Sequence, residues 1–410
     1  MRLIVSFLVL AACTGATAPA DTAPTTPDGG TSDAPPPDRA LAVAMSRFVV
    51  EGDAVKTQPA TVAFHDPATG RELGRLEDPE SNVFHKVLPW RGGLLTIGGD
   101  KARIVSWTGA GSAWTPTVLW EVRFGGEHDR VRDLEIGDVD NDGKDELVVA
   151  THDQGVVAVL DEQDDGTWEA TELSRDKDTF VHEIELGDVD GDGLLDIFAT
   201  PSEPNQSSGQ SQPGRVVRWE LTPDGYAKSE VIAFEDTHAK EILVADLGEG
   251  PTLFVVAEGA KGPAGGLSRP ARILRMSPEG ADESVRTWTQ APVAALLGEA
   301  QSRFLVAADV DGDGAKELVA TGMNTGLWLL DPKDGGWKAK QLDGSSGGFE
   351  QAAIVVDRAI FVASEPGHGK PRQLRRYEIS DDGRSKREIL HTFEGDGLVW
   401  GLADVPWNAR

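Results

Sequence analysis

The segment LEIGDVDNDGKDELVVAT, residues 134–151, has two similar copies in this chain, and the acidic residues of the central turn keep the same spacing in all three. The second copy is IELGDVDGDGLLDIFATP at 184–201, and the third is LVAADVDGDGAKELVATG at 305–322. Each copy has a short β-rich run, an acidic turn and a second such run, which is the pattern of a β-hairpin. Repetition of one hairpin predicts a repeat architecture.

Three further segments keep the hairpin pattern but lack most of the acids. The clearest is ILVADLGEGPTLFVVAEG at 242–259, and fainter copies lie at 83–99 and 352–364. Downstream of each hairpin, two more apolar runs are separated by a turn rich in Pro, Asp and Gly, residues that favour turn geometry. Seven such turns occur, beginning at Asp66, Thr108, Asp164, Thr222, Ser277, Asp331 and Ser380.

The spacing of these turns predicts the fold class, an all-β, seven-bladed β-propeller of four-stranded blades. Residues 40–410 are 371 positions, or 53 for each of seven blades, which suits a four-stranded blade with its loops. Leu398–Val405 repeats the first strand of a blade, and Leu41–Met45 resembles a second strand without a first. Pairing of these two segments would close the ring and remove exposed sheet edges. An open β-solenoid and a ring of six or eight blades are the alternatives.

The turn of each strong hairpin holds acids at positions 1, 3, 5 and 9 and glycine at position 6. The acids are Asp138, Asp140, Asp142 and Glu146 in loop A, Asp188, Asp190, Asp192 and Asp196 in loop B, and Asp309, Asp311, Asp313 and Glu317 in loop C. Four carboxylates in nine residues repel one another unless a cation lies among them. Oxygen ligands favour Ca²⁺, with Mg²⁺ as second choice, and the glycine turn aims a carbonyl of Lys144, Leu194 or Ala315 inward. We therefore expect three calcium ions, one in each loop.

These loops are not EF-hands, because position 12 holds Val149, Ala199 or Ala320 where an EF-hand needs a bidentate glutamate. The pattern D-x-D-x-D-G-x-x-[DE] inside a hairpin resembles the FG-GAP and VCBS repeats of integrin-α-like β-propellers. The resemblance covers three blades well and a fourth in part, through Asp246. It implies mainly structural calcium loops on the lower face of the ring and partner binding on the opposite, upper face.

The beginning of the chain predicts export and a membrane tether. The apolar stretch Leu3–Ala12 is too short to span a bilayer and leads into Cys13. This resembles a bacterial lipoprotein signal, which implies removal of residues 1–12 and lipidation of Cys13; an ordinary secretory signal is the alternative. Residues 13–39 are rich in Ala, Thr, Pro and Asp, which predicts a disordered tether before the propeller at 40–410. The implied location is the bacterial cell envelope, at the outer membrane, with the lipid as the membrane contact.

Composition excludes several function classes. The chain holds 68 acidic and 39 basic residues, and its net charge of −29 opposes nucleic-acid binding. One cysteine cannot form an internal disulfide or a cysteine-rich zinc site. No pattern for self-association is visible, so we expect a monomer. His182-Glu183 begins an H-E-x-x-H motif, but position 186 is leucine, so we assign no catalytic residue.

Six positions before the first aspartate of the loop, the repeats carry a basic or potentially basic side chain. These residues are Arg132, His182, Lys240 and Arg303. They would form a cationic partial ring at the start of the inner strands, suited to an anion or an acidic glycan. The alternative is pairing with the adjoining Asp133, Glu183 and Glu241. We predict a binding or adhesion module for a glycan or protein; a polysaccharide lyase or hydrolase and an envelope assembly scaffold are the other candidates.

Overall fold

The computed structural model of the chain consists of antiparallel β-sheets, with no helix in the part that it describes. The described residues are 37–51, 54–111, 113–126, 129–203, 213–261, 266–279, 287–333, 335–342, 349–365, 371–380 and 383–407. Across these ranges no helix has the length and apolarity to cross a membrane. The predicted signal segment, Cys13 and most of the predicted tether lie in residues 1–36, outside the described residues.

The strands, numbered β1–β31 in chain order, form seven four-stranded blades. Blade 1 contains β31 (Gly397–Pro406), β1 (Arg39–Glu51), β3 (Ala60–His65) and β4 (Glu72–Asp78), from the inner strand outward. Blade 2 contains β5 (Phe84–Trp90), β6 (Gly93–Gly98), β7 (Ala102–Ala110) and β8 (Ala113–Val122). Blade 3 contains β9 (Val131–Gly137), β10 (Glu146–Thr151), β11 (Val157–Glu162) and β12 (Trp168–Ser174). Blade 4 contains β13 (Phe180–Gly187), β14 (Asp196–Ser202), β15 (Gly214–Thr222) and β16 (Gly225–Phe234).

The remaining blades follow the same order. Blade 5 contains β17 (Ala239–Asp246), β18 (Pro251–Ala257), β21 (Ala271–Glu279) and β22 (Thr287–Leu296). Blade 6 contains β23 (Ser302–Ala308), β24 (Glu317–Gly322), β25 (Gly326–Lys333) and β26 (Gly336–Gln341). Blade 7 contains β27 (Phe349–Val356), β28 (Ala359–Glu365), β29 (Gln373–Ile379) and β30 (Ser385–Thr392). Short strands outside the blades are β2 (Ala54–Thr57), β19 (Ala260–Lys261) and β20 (Leu267–Arg269).

The ring closes as the sequence predicts. The C-terminal strand β31 pairs with β1 from Arg39↔Pro406 to Arg47↔Gly397, and β1 pairs in turn with β3. The first strands of successive blades contact one another around the whole ring, including β27 with β31 and β31 with β5. This arrangement confirms the seven-bladed propeller and excludes the open solenoid and the six- and eight-bladed rings.

The core lies between neighbouring blades. Each blade packs both faces against its neighbours, so its second strand is apolar on both sides; every residue of β10 and β14 is buried. One core cluster combines Phe64 of blade 1 with Val105 and Trp107 of blade 2. This packing holds the inner strands side by side, so that their two ends form two separate faces.

Candidate functional site

The lower-face loops A, B and C join the first and second strands of blades 3, 4 and 6. Their backbones share left-handed residues at positions 4 and 6. Position 6 is Gly143, Gly193 or Gly314, with φ between 89° and 92°. Position 4 is Asn141, Gly191 or Gly312, with φ between 62° and 82°. Glycine and asparagine tolerate this conformation. Asparagine or glycine at position 4 is therefore a further sequence feature of the loop, in addition to the spacing of its carboxylates.

The backbone of each loop turns its acids toward a common centre. In loop A, Asp138 accepts hydrogen bonds from the N–H groups of Asp142 and Gly143, at 3.1 and 3.0 Å. Asp188 in loop B makes the equivalent bonds to Asp192 and Gly193, at 3.1 and 3.0 Å. In each loop, the residue after the glycine is the one proposed to supply a carbonyl oxygen to the ion. Its N–H group donates to the position-5 aspartate at 2.8 to 2.9 Å; the three residues are Lys144, Leu194 and Ala315.

Loop C brings all four of its predicted acids together. Oxygens of Asp309, Asp311, Asp313 and Glu317 lie within 4.8 Å of one another. Glu317 is buried, its Oε2 accepts the Val310 N–H at 2.9 Å, and its Oε1 has no hydrogen-bond partner among the described residues. Burial raises the pKa of Glu317 to about 6. An unpartnered buried oxygen beside three other carboxylates is the arrangement of a cation site.

Loops A and B each bring together three acids. The loop A group is Asp138, Asp140 and Glu146, and the loop B group is Asp188, Asp190 and Asp192, each within 4.8 Å. In loop A, Glu146 Oε2 accepts the Val139 N–H at 2.9 Å, and burial raises the pKa of Glu146 to about 7. The three loops therefore hold acidic groups able to bind metal ions.

Loop B differs because an arginine already lies among its acids. Arg218 of β15 is buried, and its Nη2 contacts Asp190 Oδ2 and lies 2.7 Å from Asp196 Oδ1. The position-9 acid of loop B, Asp196, is therefore turned toward a guanidinium rather than joining the other three acids. Because Arg218 supplies positive charge to Asp190 and Asp196, we expect loop B to bind a cation more weakly than loop C.

We predict that Arg218→Met makes loop B more dependent on calcium. Removal of the guanidinium leaves Asp190 and Asp196 as uncompensated buried charges, which costs about 3–5 kcal/mol in the metal-free protein. A cation can then occupy the vacated position, so the rise in melting temperature from EDTA to 1 mM calcium should exceed that of the wild type. Arg215→Met, an exposed arginine on the same strand, is the control. An equal or smaller rise in Arg218→Met would contradict this interpretation of loop B.

The other blades shorten or lose the loop. In blade 5 only Asp246 remains, and its Oδ1 accepts the Gly248 and Gly250 N–H groups at 2.7 and 2.9 Å. Blades 2 and 7 join the same strands with two-residue turns whose residues all have positive φ; they are Arg91-Gly92 and Asp357-Arg358. These turns have no room for a cation loop, so the acidic loops of the described chain belong to blades 3, 4 and 6.

At the opposite, upper face, every inner strand has a β-bulge where it pairs with its second strand. The register skips one inner-strand residue in five blades and two in blades 4 and 6. The first skipped residue of each blade lies toward the mouth of the central channel, and we call these seven residues the bulge ring. They are Trp400, His85, Arg132, His182, Lys240, Arg303 and Gln351, in blades 1 to 7. The four residues that the sequence singles out therefore share one structural position. Their role in binding stays a prediction.

The basic residues of the bulge ring lie close together. Lys240 Nζ is 3.1 Å from His182 Nε2, and the His182 and His238 rings are 5.9 Å apart. Arg132 lies over the Trp400 ring, with its Cζ 6.0 Å from the centroid. Burial, followed by the charge of Lys240, lowers the pKa of His182 well below its usual value. Burial also lowers the pKa of Lys240 to about 8.

One of the three adjoining acids, Glu183, pairs with a cation of the bulge ring. Asp133 bonds instead to Lys86, with Nζ to Oδ1 at 2.8 Å, and to the Ile184 N–H at 2.8 Å. Arg132 reaches Glu183 only at 3.5 Å. Burial raises the pKa of Glu183 and of Glu241 well above the usual range. Of the adjoining acids, Glu183 thus pairs with Arg132 as the alternative predicts, whereas Asp133 and Glu241 bond to the backbone N–H groups of Ile184 and Leu305.

Other residues also lie at the mouth, and Glu258 among them was not singled out from the sequence. Glu258 is the nearest acid to Lys240, at 3.8 Å, and to His238 Nδ1, at 3.9 Å. Both ring nitrogens of buried His238 and Nε of Arg303 have no hydrogen-bond partner among the described residues. His85 belongs to the faint copy at 83–99, which aligns with the strong repeats. Trp400 and Gln351 are uncharged, so a search for basic side chains at this repeat position does not identify them.

These features define a class: a seven-bladed β-propeller with acidic metal-loop candidates on one face and a basic bulge ring on the other. The family model of the FG-GAP-like repeat matches residues 138–199, which span loops A and B. The chain is thus a β-propeller in which an FG-GAP-like repeat is recognised over loops A and B, as the motif predicts.

Comparison with solved structures supports the fold. A protein from Lactobacillus plantarum has 12% sequence identity and a TM-score of 0.54, and the match covers 89% of this chain and 99% of that one. The periplasmic gluconolactonase of Pseudomonas aeruginosa has 15% identity and a TM-score of 0.49, with 88% and 98% covered. At 12% identity the first likeness concerns the fold alone. No curated protein matches the chain significantly.

Proposed function

We propose that this propeller is a calcium-stabilised binding module for an acidic ligand, most directly an anionic glycan, held at the bacterial envelope through Cys13. The bulge ring carries the proposal. It collects Arg132, Lys240 and Arg303 at one mouth of a chain whose net charge is −29, and the ion pairs there are long: Arg132 to Glu183 at 3.5 Å and Lys240 to Glu258 at 3.8 Å. Incompletely paired cations in a partly buried site attract an anion more strongly than exposed ones.

Calcium and the lipid anchor belong to the same proposal but rest on different observations. Calcium is supported by the loop C carboxylates and their oxygen-only ligand set. The anchor is supported by the apolar run before Cys13. An acidic protein surface is the alternative ligand, because it offers the same carboxylate chemistry.

The ligand prediction is tested with Arg132→Ala/Arg303→Ala. We expect binding of polygalacturonate, in 1 mM calcium, to weaken at least about tenfold, which is 1.4 kcal/mol. The control is Arg123→Ala/Arg215→Ala, which removes the same charge from two exposed arginines. Both variants should melt near the wild-type temperature. Equal retention by the two double variants would contradict a binding site at the mouth, and equal retention of neutral dextran would contradict the acidic ligand.

One observation favours a second candidate function, cleavage of the bound polysaccharide. Lys240 Nζ lies against His182 Nε2, and the lowered pKa of Lys240 leaves part of it deprotonated near neutral pH. Such an amine can act as a general base. Release of new chain ends from polygalacturonate, lost in Lys240→Gln, would favour the enzyme; retention without product would favour the binding module.

A further inference from the structure

A group of histidine and glutamate side chains, unrelated to the repeats, lies where the ring closes. His65 ends β3 and Glu72 begins β4, both in blade 1, whereas His391 lies on the outer strand β30 of blade 7. One potential ligand atom from each lies within 4.8 Å of the other two. The His65 and His391 ring centroids are 4.5 Å apart. The group therefore bridges the first and last blades.

The orientation of His65 is set by the neighbouring turn. His65 is fully buried, and its Nδ1 lies 3.0 Å from the carbonyl oxygen of Gly70. A carbonyl can only accept, so Nδ1 carries the proton and Nε2 keeps a free lone pair. Nε2 is buried and has no hydrogen-bond partner among the described residues. Metal-binding histidines show the same arrangement, with one nitrogen bonded to a carbonyl and the other directed at the ion.

The Gly70 carbonyl is itself held in place. Asp66 Oδ1 accepts the Ala68 N–H at 2.8 Å, and the Gly70 N–H donates to the Asp66 carbonyl at 2.8 Å. Gly70 has φ of 71°, and a β-carbon there would lie 2.1 Å from the Leu390 carbonyl oxygen. The turn is therefore pressed against β30, next to His391. This contact gives the site a rigid support on both blades.

We propose that His65, His391 and Glu72 form a site for a divalent transition-metal ion, with Zn²⁺ as the best fit, that links blade 7 to blade 1. Two imidazoles and a carboxylate suit zinc and do not suit calcium, which selects oxygen ligands. Zinc bonds of about 2.0–2.2 Å require the three groups to move closer together. His391 and Glu72 are only partly buried, which allows this movement and leaves a fourth position for water.

The charges around the site allow an ion. Arg75 donates to both oxygens of Glu72, one of them at 2.8 Å, but a carboxylate has further lone pairs for a metal. Phe393 packs edge-on against both histidine rings, with centroids 5.6 and 5.0 Å away, and limits access of solvent.

The test is a Zn²⁺ titration of the purified full chain by calorimetry, in 1 mM calcium so that the loops do not compete. The wild type should bind one zinc ion at the seam, and Glu72→Gln and His391→Gln should each weaken that binding by at least about 10- to 100-fold. Glu77→Gln, on the same strand, is the control and should not change it. Cobalt bound in place of zinc should give the visible absorption of a tetrahedral site, lost in the same two variants.

The histidines of the bulge ring are the competing zinc site, so His238→Gln is measured alongside. Loss of the tight zinc event in His238→Gln, with the event intact in His391→Gln, would overturn the proposal. Absence of binding at 1 mM zinc would also overturn it. Melting curves without zinc show whether each variant is folded. Glu72 is partly exposed, so Glu72→Gln should disturb folding least.

Discussion

In excess EDTA the protein is expected to melt at a clearly lower temperature than in 1 mM calcium. If each loop binds calcium with a dissociation constant of about 0.1 mM, mass action stabilises the fold by about 1.4 kcal/mol per site at that concentration. Loops A and C at this affinity give about 3 kcal/mol, and the weaker loop B adds less than a full site, so calcium supplies a large part of the 5–15 kcal/mol typical of a domain. The measurement is a thermal melt at low salt in each condition.

Magnesium and a loop variant supply the controls for this result. Magnesium at 1 mM should restore less of the melting temperature than calcium, because it demands stricter octahedral geometry. Asp309→Asn/Asp311→Asn in loop C should lose part of the calcium effect, whereas Asp224→Asn/Asp165→Asn, in turns away from the loops, should keep all of it. A melt that EDTA leaves unchanged would contradict the calcium sites.

The single substitution Arg375→Met is expected to destabilise the protein by about 3–5 kcal/mol. Arg375 of β29 and Glu350 of β27 form an ion pair with Nη1 2.5 Å from Oε1, and their side chains are 1% and 0% exposed. Removal of one partner leaves a buried charge without compensation. The measurement is urea denaturation, taken as the shift in midpoint at constant slope.

The double variant Arg375→Met/Glu350→Met provides the matched control. Two apolar side chains of similar size remove both buried charges, so the double variant should recover most of the stability lost in the single one. A double variant no more stable than Arg375→Met alone would show that the loss comes from packing and not from the unpaired carboxylate.

Much of the fold could be predicted from the sequence because its strands are short and strongly punctuated. The turn beginning at Asp66 lies between β3 and β4, where the repeat places it, and the Asp164 and Thr222 turns occupy the same position in blades 3 and 4. The closing strand at Leu398–Val405 was recognisable because it repeats the inner-strand pattern. Local turn chemistry and a repeated period thus carry enough information to determine the number of blades.

The site could be predicted only where repeat position determines it. Arg132 and Lys240 share a register, so their shared place at the mouth follows from the repeat. The position of Arg218 beside loop B could not be foreseen, because Arg218 lies on β15 and reaches the loop acids only through its side-chain direction. The His65, Glu72 and His391 group joins residues more than 300 positions apart, and only the closure of the ring brings them together.

The measurement that tests the central claim most directly is a calorimetric calcium titration of the metal-stripped protein, with the melting temperature recorded at each end point. The central claim is that the acidic loops of blades 3, 4 and 6 are calcium sites that stabilise the lower face. We predict binding at loops A and C, a weaker event at loop B, and a higher melting temperature at saturation. No calcium binding at millimolar concentration, or binding without any change in the melt, would contradict that claim.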